Sequence, residues 1–209
     1  QLIVVLEERA FQPEKGNNVS VFSLETGEKP GWETTANLTQ IQAALFDSSG
    51  IFISGYDWRD NGAHRDFTHR ILQLSPGKGL VTRSWPVPAR DLTLSPNGQY
   101  LGVLEDSRHG RAINLATGDT VTFTYKNQQE FLQGLAINDQ GEVAVIAIRS
   151  ANYHSLEILK DNRIKIIKPF SGETIQIPTG GVFPDQLKLS TDGRSFYLGD
   201  SRIWRAVGQ

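Results

Sequence analysis

A chain of 209 residues with 38% hydrophobic and 21% charged residues is long enough to bury one sizeable core, and the composition is that of a soluble globular domain. Lys and Arg number 21 against 23 Asp and Glu, with the two signs interspersed, so no electrostatic footprint for nucleic acid or an anionic membrane is visible, and no apolar run approaches the roughly 18 residues of a membrane span. The lack of cysteine removes disulfides and thiolate metal sites from this chain. The chain begins at Gln1 with no methionine and no charged-then-apolar signal segment, so its start reads as a cut end of something longer. The expected compartment is the cytoplasm, and Asn-X-Ser/Thr matches at Asn18 and Asn37 permit secretion.

In chain order, "LIVVLEE" (2 to 8) predicts a strand, followed by the polar loop "RAFQPEKGNN" (9 to 18) and a strand in "VFSLETGE" (21 to 28). "ALFDSSG" (44 to 50) places apolar residues four and six positions before Gly50 and runs into a turn, and the apolar run "IFISG" follows it. The longest polar insertion, "YDWRDNGAHRDFTH" (56 to 69), then predicts a loop, with Gly62 in a loose stretch. "ILQLSPGK" (71 to 78), "PVPARD" (86 to 91) and "DLTLSPNGQYLGVLED" (91 to 106) come next; the last is a hairpin turning through Ser95, Pro96, Asn97 and Gly98. The same order recurs with "DSRHG" (106 to 110), "INLATGD" (113 to 119), "LAINDQG" (135 to 141), "VAVIAI" (143 to 148), "RSANYH" (149 to 154) and "IIKPFSGE" (166 to 173). "TGGVFPDQ" (179 to 186), "LKLSTDG" (187 to 193), "FYLG" (196 to 199) and "IWRAVGQ" (203 to 209) end it. No helix longer than about three turns fits between these turn signals.

These segments are repeats. Aligned on Gly50, Gly98, Gly141 and Gly193, four of them carry apolar residues four and six places before the glycine and a polar residue, Asp47, Ser95, Asn138 or Ser190, three places before it. The glycine supplies the positive φ that a tight turn requires, and the near-continuous apolar runs after each turn read as strands buried on both faces. A second signature places Phe22, Leu72, Ile113 and Ile167 five residues before Gly27, Gly77, Gly118 and Gly172, and Trp204 four before Gly208. Together they define strand a, turn, strand b, loop, strand c, turn, strand d. The turn glycines are 48, 43 and 52 residues apart, near the period of about 40 to 50 expected for propeller blades.

On these residues the chain resembles the WD-type β-propeller repeats, whose pattern runs from an SPDG hairpin through an Asp to IxxWD and TG. The closest stretch is "STDGRSFYLGDSRIWRAVGQ", with Trp204 at the Trp of the WD dipeptide and Asp200 before it. The Asp of the dipeptide is replaced by Ser23, Gln73, Asn114, Lys168 and Arg205, and the preceding Gly-His is absent, so the hydrogen-bonded tetrad of strict WD repeats cannot form. The expectation is an all-β, WD-like β-propeller over residues 1 to 209, with four-stranded blades in about five repeat copies; an ordinary antiparallel sandwich is the alternative. About 18 strands fall where five blades would need about 20. Either "QLIVVLEE" completes the final blade, or the chain is a piece of a larger ring. The second is favoured, because the chain stops inside a turn.

In this topology the b to c and d to a loops share one face, where binding residues concentrate. Trp58, Arg59 and Asp60 are the leading contact residues, because Trp and Arg dominate interface hot spots, with Arg108, Tyr153 and Phe183 extending the patch. Trp58 as a loop anchor is the competing reading, and Trp32, Trp85 and Trp204 are assigned to packing. His64, His69, His109 and His154 all fall on these loops, yet surface loops favour polar residues anyway and no metal is expected. "KDNRIKIIK" (160 to 168) reads as a solvated outer strand whose charges guard an edge. No phosphate loop or nucleophile elbow is present, and no cofactor is expected. The resemblance implies a non-catalytic scaffold that binds proteins, or senses a ligand for other domains of a longer chain. The alternative is a propeller enzyme or a carbohydrate or small-ligand binder using the channel mouth.

Overall fold

β-Branched and aromatic runs interrupted by Gly, Asn and Ser favour short pleated strands over helices, and every regular element among the described residues is a strand. The structure, a computed structural model, describes residues 2–7, 17–23, 33–36, 38–47, 50–62, 64–75, 78–126, 130–149, 163–168, 173–178, 186–189, 196–199 and 204–207. A three-stranded sheet of β1 (Leu2–Glu7), β2 (Asn17–Ser23) and β3 (Glu33–Ala36) comes first. Three four-stranded sheets follow. They are β4 (Gln40–Asp47), β5 (Gly50–Asp60), β6 (Arg65–Leu74) and β7 (Val81–Trp85); β8 (Asp91–Leu94), β9 (Tyr100–Leu104), β10 (His109–Asn114) and β11 (Thr120–Thr124); and β12 (Glu130–Ile137), β13 (Val143–Arg149), β14 (Arg163–Lys168) and β15 (Glu173–Pro178). The last sheet holds β16 (Gln186–Leu189), β17 (Phe196–Gly199) and β18 (Trp204–Val207). All are antiparallel meanders, and the four-stranded sheets reproduce the a to d order of the repeat.

The chain divides into two compact units, Gln1–Arg90 and Asp91–Gln209. In the first, β5 is buried from Gly50 to Gly55. Ile51 and Ile53, with Leu72 and Leu74 of β6, pack against Val19 of β2 and Leu38. The alternate residues Phe52 and Ser54 are equally buried, with the Phe52 ring 6.5 Å from that of Trp85. Ser54 is polar inside this core, and its Oγ donates to the Ala89 carbonyl at 3.0 Å, which removes the cost of an unpaired hydroxyl. In the second unit, Leu104, Ala112, Phe123 and Tyr125 pack with Leu132, Leu135, Ile137, Val143 and Val145. Each such aliphatic side chain contributes about 1.5–3 kcal/mol when taken fully from water.

The repeat's polar residue is a turn cap. Ser95 Oγ accepts the Tyr100 N–H at 3.0 Å and the Gly98 N–H donates to the Ser95 carbonyl at 2.8 Å. Asn138 does the same work one sheet later, its Oδ1 accepting the N–H groups of Gln140 and Glu142. Gly98 and Gly141 take φ of 69° and 76°, where a side chain would be strained. The two turns are also joined, through the Asn97 N–H and Asp139 Oδ1 at 2.9 Å.

Two expectations need correction. Residues 56 to 69 are not a loop: β5 and β6 pair as far as Asp60 and Arg65, and Gly62 sits at φ 79° in the tight turn closed by the Asn61 N–H and His64 carbonyl at 3.0 Å. Alternating bulky side chains here favour pleated pairing in spite of the polar composition. In the β6–β7 turn Gly79 takes φ of 63° and its N–H donates to the Ser75 carbonyl at 2.8 Å, while Gly77 of the repeat signature lies outside the described residues. Finally, Arg163–Lys168 is not an outer strand, since β14 is paired on both sides, with β13 and β15.

Gly55 and Gly62 separate space from backbone strain. A Cβ at Gly55 would overlap the Gln40 carbonyl oxygen of β4, whereas one at Gly62 meets nothing within 4 Å. We expect Gly55→Ala to destabilise the protein by about 3 kcal/mol through displacement of β4, and Gly62→Ala by about 1 kcal/mol through its φ alone. Urea denaturation of both variants checks the order.

Candidate functional site

The hairpin of β5 and β6 outruns its neighbours. β4 pairs with β5 only as far as Tyr56, and β7 with β6 only from Ile71. Residues 57 to 70 therefore stand out as a two-stranded ribbon. A bare hairpin in water is marginal, so its side chains must hold it together. Directly opposite residues share a face. Tyr56 and His69, Trp58 and Phe67, and Asp60 and Arg65 line one face; Asp57 with Thr68 and Arg59 with Asp66 line the other.

The first face is an aromatic ladder. Tyr56 meets Phe67 edge-on at 5.3 Å and lies 5.4 Å from the His69 ring, and the Arg65 guanidinium carbon sits 4.5 Å over the Trp58 ring. Such contacts contribute about 0.5–1.5 kcal/mol each. Phe67 is nevertheless 53% exposed. Tyr56 also donates its hydroxyl to Gln40 Oε1, tying the ladder to β4. Two nitrogens at the ribbon's base, His69 Nδ1 and Arg70 Nε, are buried without a hydrogen-bond partner.

The second face is polar. Asp57 accepts the Thr39 hydroxyl at 2.8 Å and the Trp58 N–H at 3.1 Å, and its other oxygen lies 3.6 Å from Arg70 Nη2. At the tip, Asp66 lies 3.1 Å from His64 Nε2 and accepts from the Asn61 side chain. Asp60 Oδ1 accepts the Gly62 N–H at 2.8 Å.

Trp58, Arg59 and Asp60 are thus strand residues, with Trp58 half-buried and the other two exposed. Arg108 belongs to the second unit, in the β9–β10 connection, where its carbonyl accepts the Tyr125 N–H at 2.7 Å and the Ser107 carbonyl accepts that of Leu132 at 2.8 Å. Tyr153, Phe183 and His154 lie outside the described residues. The residues that sequence reasoning missed are Tyr56, Arg65 and Phe67. Their signal was the alternation of "YDWRD" and "RDFTH" around a glycine. Among the described residues, no group of three or more His, Cys, Asp or Glu side chains is gathered for a metal ion.

Asp106 organises the β9–β10 connection. Its Oδ1 accepts the N–H groups of Arg108 at 2.6 Å and His109 at 2.8 Å, and its Oδ2 lies 2.7 Å from His109 Nδ1. Partial burial pushes against ionisation, yet these hydrogen bonds and the His109 charge together hold the carboxyl below its ordinary value.

At the sequence level no known protein family and no curated protein matches this chain. Solved structures do match. The β-propeller domain of Cps50 (Swd1) from Myceliophteria thermophila superposes with a TM-score of 0.60 at 12% identity, covering 97% of this chain and 64% of that one. Kuenenia stuttgartiensis hydrazine synthase superposes with a TM-score of 0.55 at 15% identity, covering 94% of this chain and 58% of that one. The chain thus spans less than two thirds of the length of either. At these identities the likeness establishes the fold alone, a β-propeller, and the sheets are its blades.

Asp106 supplies a pH test. A carboxyl whose pKa is lower folded than unfolded contributes stability that is fully present above about pH 4 and is lost as pH falls through the folded value. The amide resonances of Arg108 and His109 should accordingly titrate with a midpoint below about 4, and Asp106→Asn should flatten them. A midpoint above the ordinary carboxylate value would contradict this account of the turn.

Proposed function

We propose that the chain is a non-catalytic, WD-like interaction scaffold that engages a protein, or another domain of a longer chain, through the β5–β6 ribbon. The single observation that carries this reading is an ordered aromatic ladder built outside the core, with Phe67 53% exposed on a ribbon that both neighbouring strands leave uncovered. Trp, Tyr and Arg are the residues that dominate binding energy at interfaces, and here Trp58, Tyr56 and Arg65 lie side by side on one face. Arg59 and Asp60 supply exposed charges at the tip. Arg108, Tyr153 and Phe183 are proposed as further contacts on the corresponding connections of other blades. The resemblance to WD-type repeats supports the scaffold role by analogy with that family.

Trp58 decides the matter. Its ring lies beyond the last residues that β4 and β7 cover, so Trp58→Ala should change unfolding free energy by less than about 1 kcal/mol while weakening partner binding by about 2 kcal/mol or more. Affinity capture from a source lysate, followed by titration of the captured protein against both forms, reads the second quantity. A Trp58→Ala protein that melts earlier and keeps every partner would make this side chain a structural anchor.

A further inference from the structure

The two edges of the ribbon are not equivalent. In an antiparallel ribbon the N–H and C=O of a residue both point to the same side, and that side alternates along the strand. The Asn61 N–H reaches across to the His64 carbonyl, whereas the Tyr56 carbonyl accepts the Thr39 N–H on the outer side of β5. Asn61, Arg59 and Asp57 therefore face β6, and Tyr56, Trp58 and Asp60 present their backbone groups outward. On β6 the register then turns His64, Asp66 and Thr68 inward, and Arg65, Phe67 and His69 outward. The Ser75 N–H, on the same parity, reaches the Leu80 carbonyl at the start of β7, as this assignment requires.

Exposed strand edges are templates for pairing unless they are blocked. The β5 edge is blocked in part: the outward N–H of Trp58 is already taken by the Asp57 carboxylate at 3.1 Å. On the β6 edge no described strand pairs between Arg65 and Arg70, because β7 ends its pairing at Ile71 and the Val87 N–H turns back to the Trp85 carbonyl. The side chains along that edge are Arg65, Phe67 and His69, on the aromatic face. Among the described residues Arg65 forms no ion pair with a carboxylate; its contact is the Trp58 ring.

We infer that the β6 edge from Arg65 to His69 takes up an extended segment of a partner protein as an added strand, with an apolar side chain against Phe67 and a carboxylate against Arg65. Main-chain hydrogen bonds to the three outward residues supply affinity, and the alternating side chains supply selection, as in strand addition generally. The occupant's acidic character follows from the guanidinium without a carboxylate, and its apolar centre from the most exposed ring of the ladder. This inference rests on the ribbon being the partner surface.

The test is nuclear magnetic resonance with amide hydrogen exchange on the 209-residue chain, using the palindromic probe acetyl-Thr-Asp-Thr-Val-Thr-Asp-Thr-amide, which presents the same pattern in either direction. In the free protein the amides of Asp66 and Thr68 should exchange slowly and those of Arg65, Phe67 and His69 rapidly. The probe should slow the latter three. N-methylation of its central Val, and Phe67→Ala in the protein, should each weaken binding about tenfold or more. A probe with Lys in place of both Asp residues should fail to bind. If the probe shifts the Trp58 and Phe67 rings while the three amides still exchange freely, the ribbon binds through its face: strand addition is overturned and the scaffold reading stands. If those amides are protected without probe, and more so at higher protein concentration, the occupant is a second copy of the chain and the peptide partner is overturned. No change at any ribbon residue at millimolar probe overturns the inference outright, whatever the Trp58→Ala capture shows.

Discussion

Burial of the middle strands on both faces is the constraint from which the architecture follows. β5 is inaccessible from Gly50 to Gly55 and β9 from Leu101 to Leu104, so neither face of these strands tolerates water. A single four-stranded sheet cannot supply that environment. Each sheet needs another against it, which is why the blade is a repeat and not a one-off hairpin. Close approach is part of the same constraint: a Cβ at Gly102 would stand 2.8 Å from Thr93 Cγ2 and 3.2 Å from Leu135 Cδ1, a side chain of the neighbouring blade. With the strands fixed by packing, the turns between them have to be tight, and the polar caps at Ser95, Asn114 and Asn138 absorb the backbone N–H groups that tight turns leave over.

β5 changes character halfway along. Its first six residues are core and its last five are progressively uncovered, yet pairing with β6 continues without a register shift from Ile51 to Asp60. The buried half is therefore a rigid handle for the exposed half. Cross-strand contacts replace the missing neighbours: Tyr56 against Phe67 and Arg65 over Trp58 hold the two strands in register where no sheet covers them. A surface made this way presents its aromatic side chains already ordered, which lowers the entropy lost on binding.

Legibility in the sequence followed the range of the interactions. Turn glycines and their caps act over four or five residues, so "LTLSPNG" and "LAINDQG" revealed both the hairpins and the repeat, and the strand order within the blades came with them. The ribbon was hidden by its charges. "YDWRDNGAHRDFTH" has the composition of a loop, and its alternation counts only once the register sets Trp58 against Phe67. Nothing local in "DSRHG" encodes that the carbonyls of Arg108 and Ser107 accept the N–H groups of Tyr125 and Leu132, from segments about 17 to 25 residues further along the chain. The role of Asp57 required Thr39, from a segment 18 residues away.

Asp57 sits where the ribbon leaves the sheet, and its position explains what the cluster around it is for. One carboxylate gathers a hydroxyl from the segment before β4, an N–H of its own strand and the guanidinium of Arg70 on β6. Both ionic side chains remain about a third exposed, at 34% and 32%, and the 3.6 Å separation is long, so solvent screening leaves such a pair only a modest contribution to stability. What it supplies is direction. Three elements converge on one small group at the last point of contact with the core, which restricts the angle at which β5 and β6 continue outward. Energy for the fold comes from the buried half of the hairpin, and definition of the exposed half comes from this polar knot. A contact surface on a two-stranded ribbon needs both, because the aromatic ladder fixes the strands to each other but not to the blade.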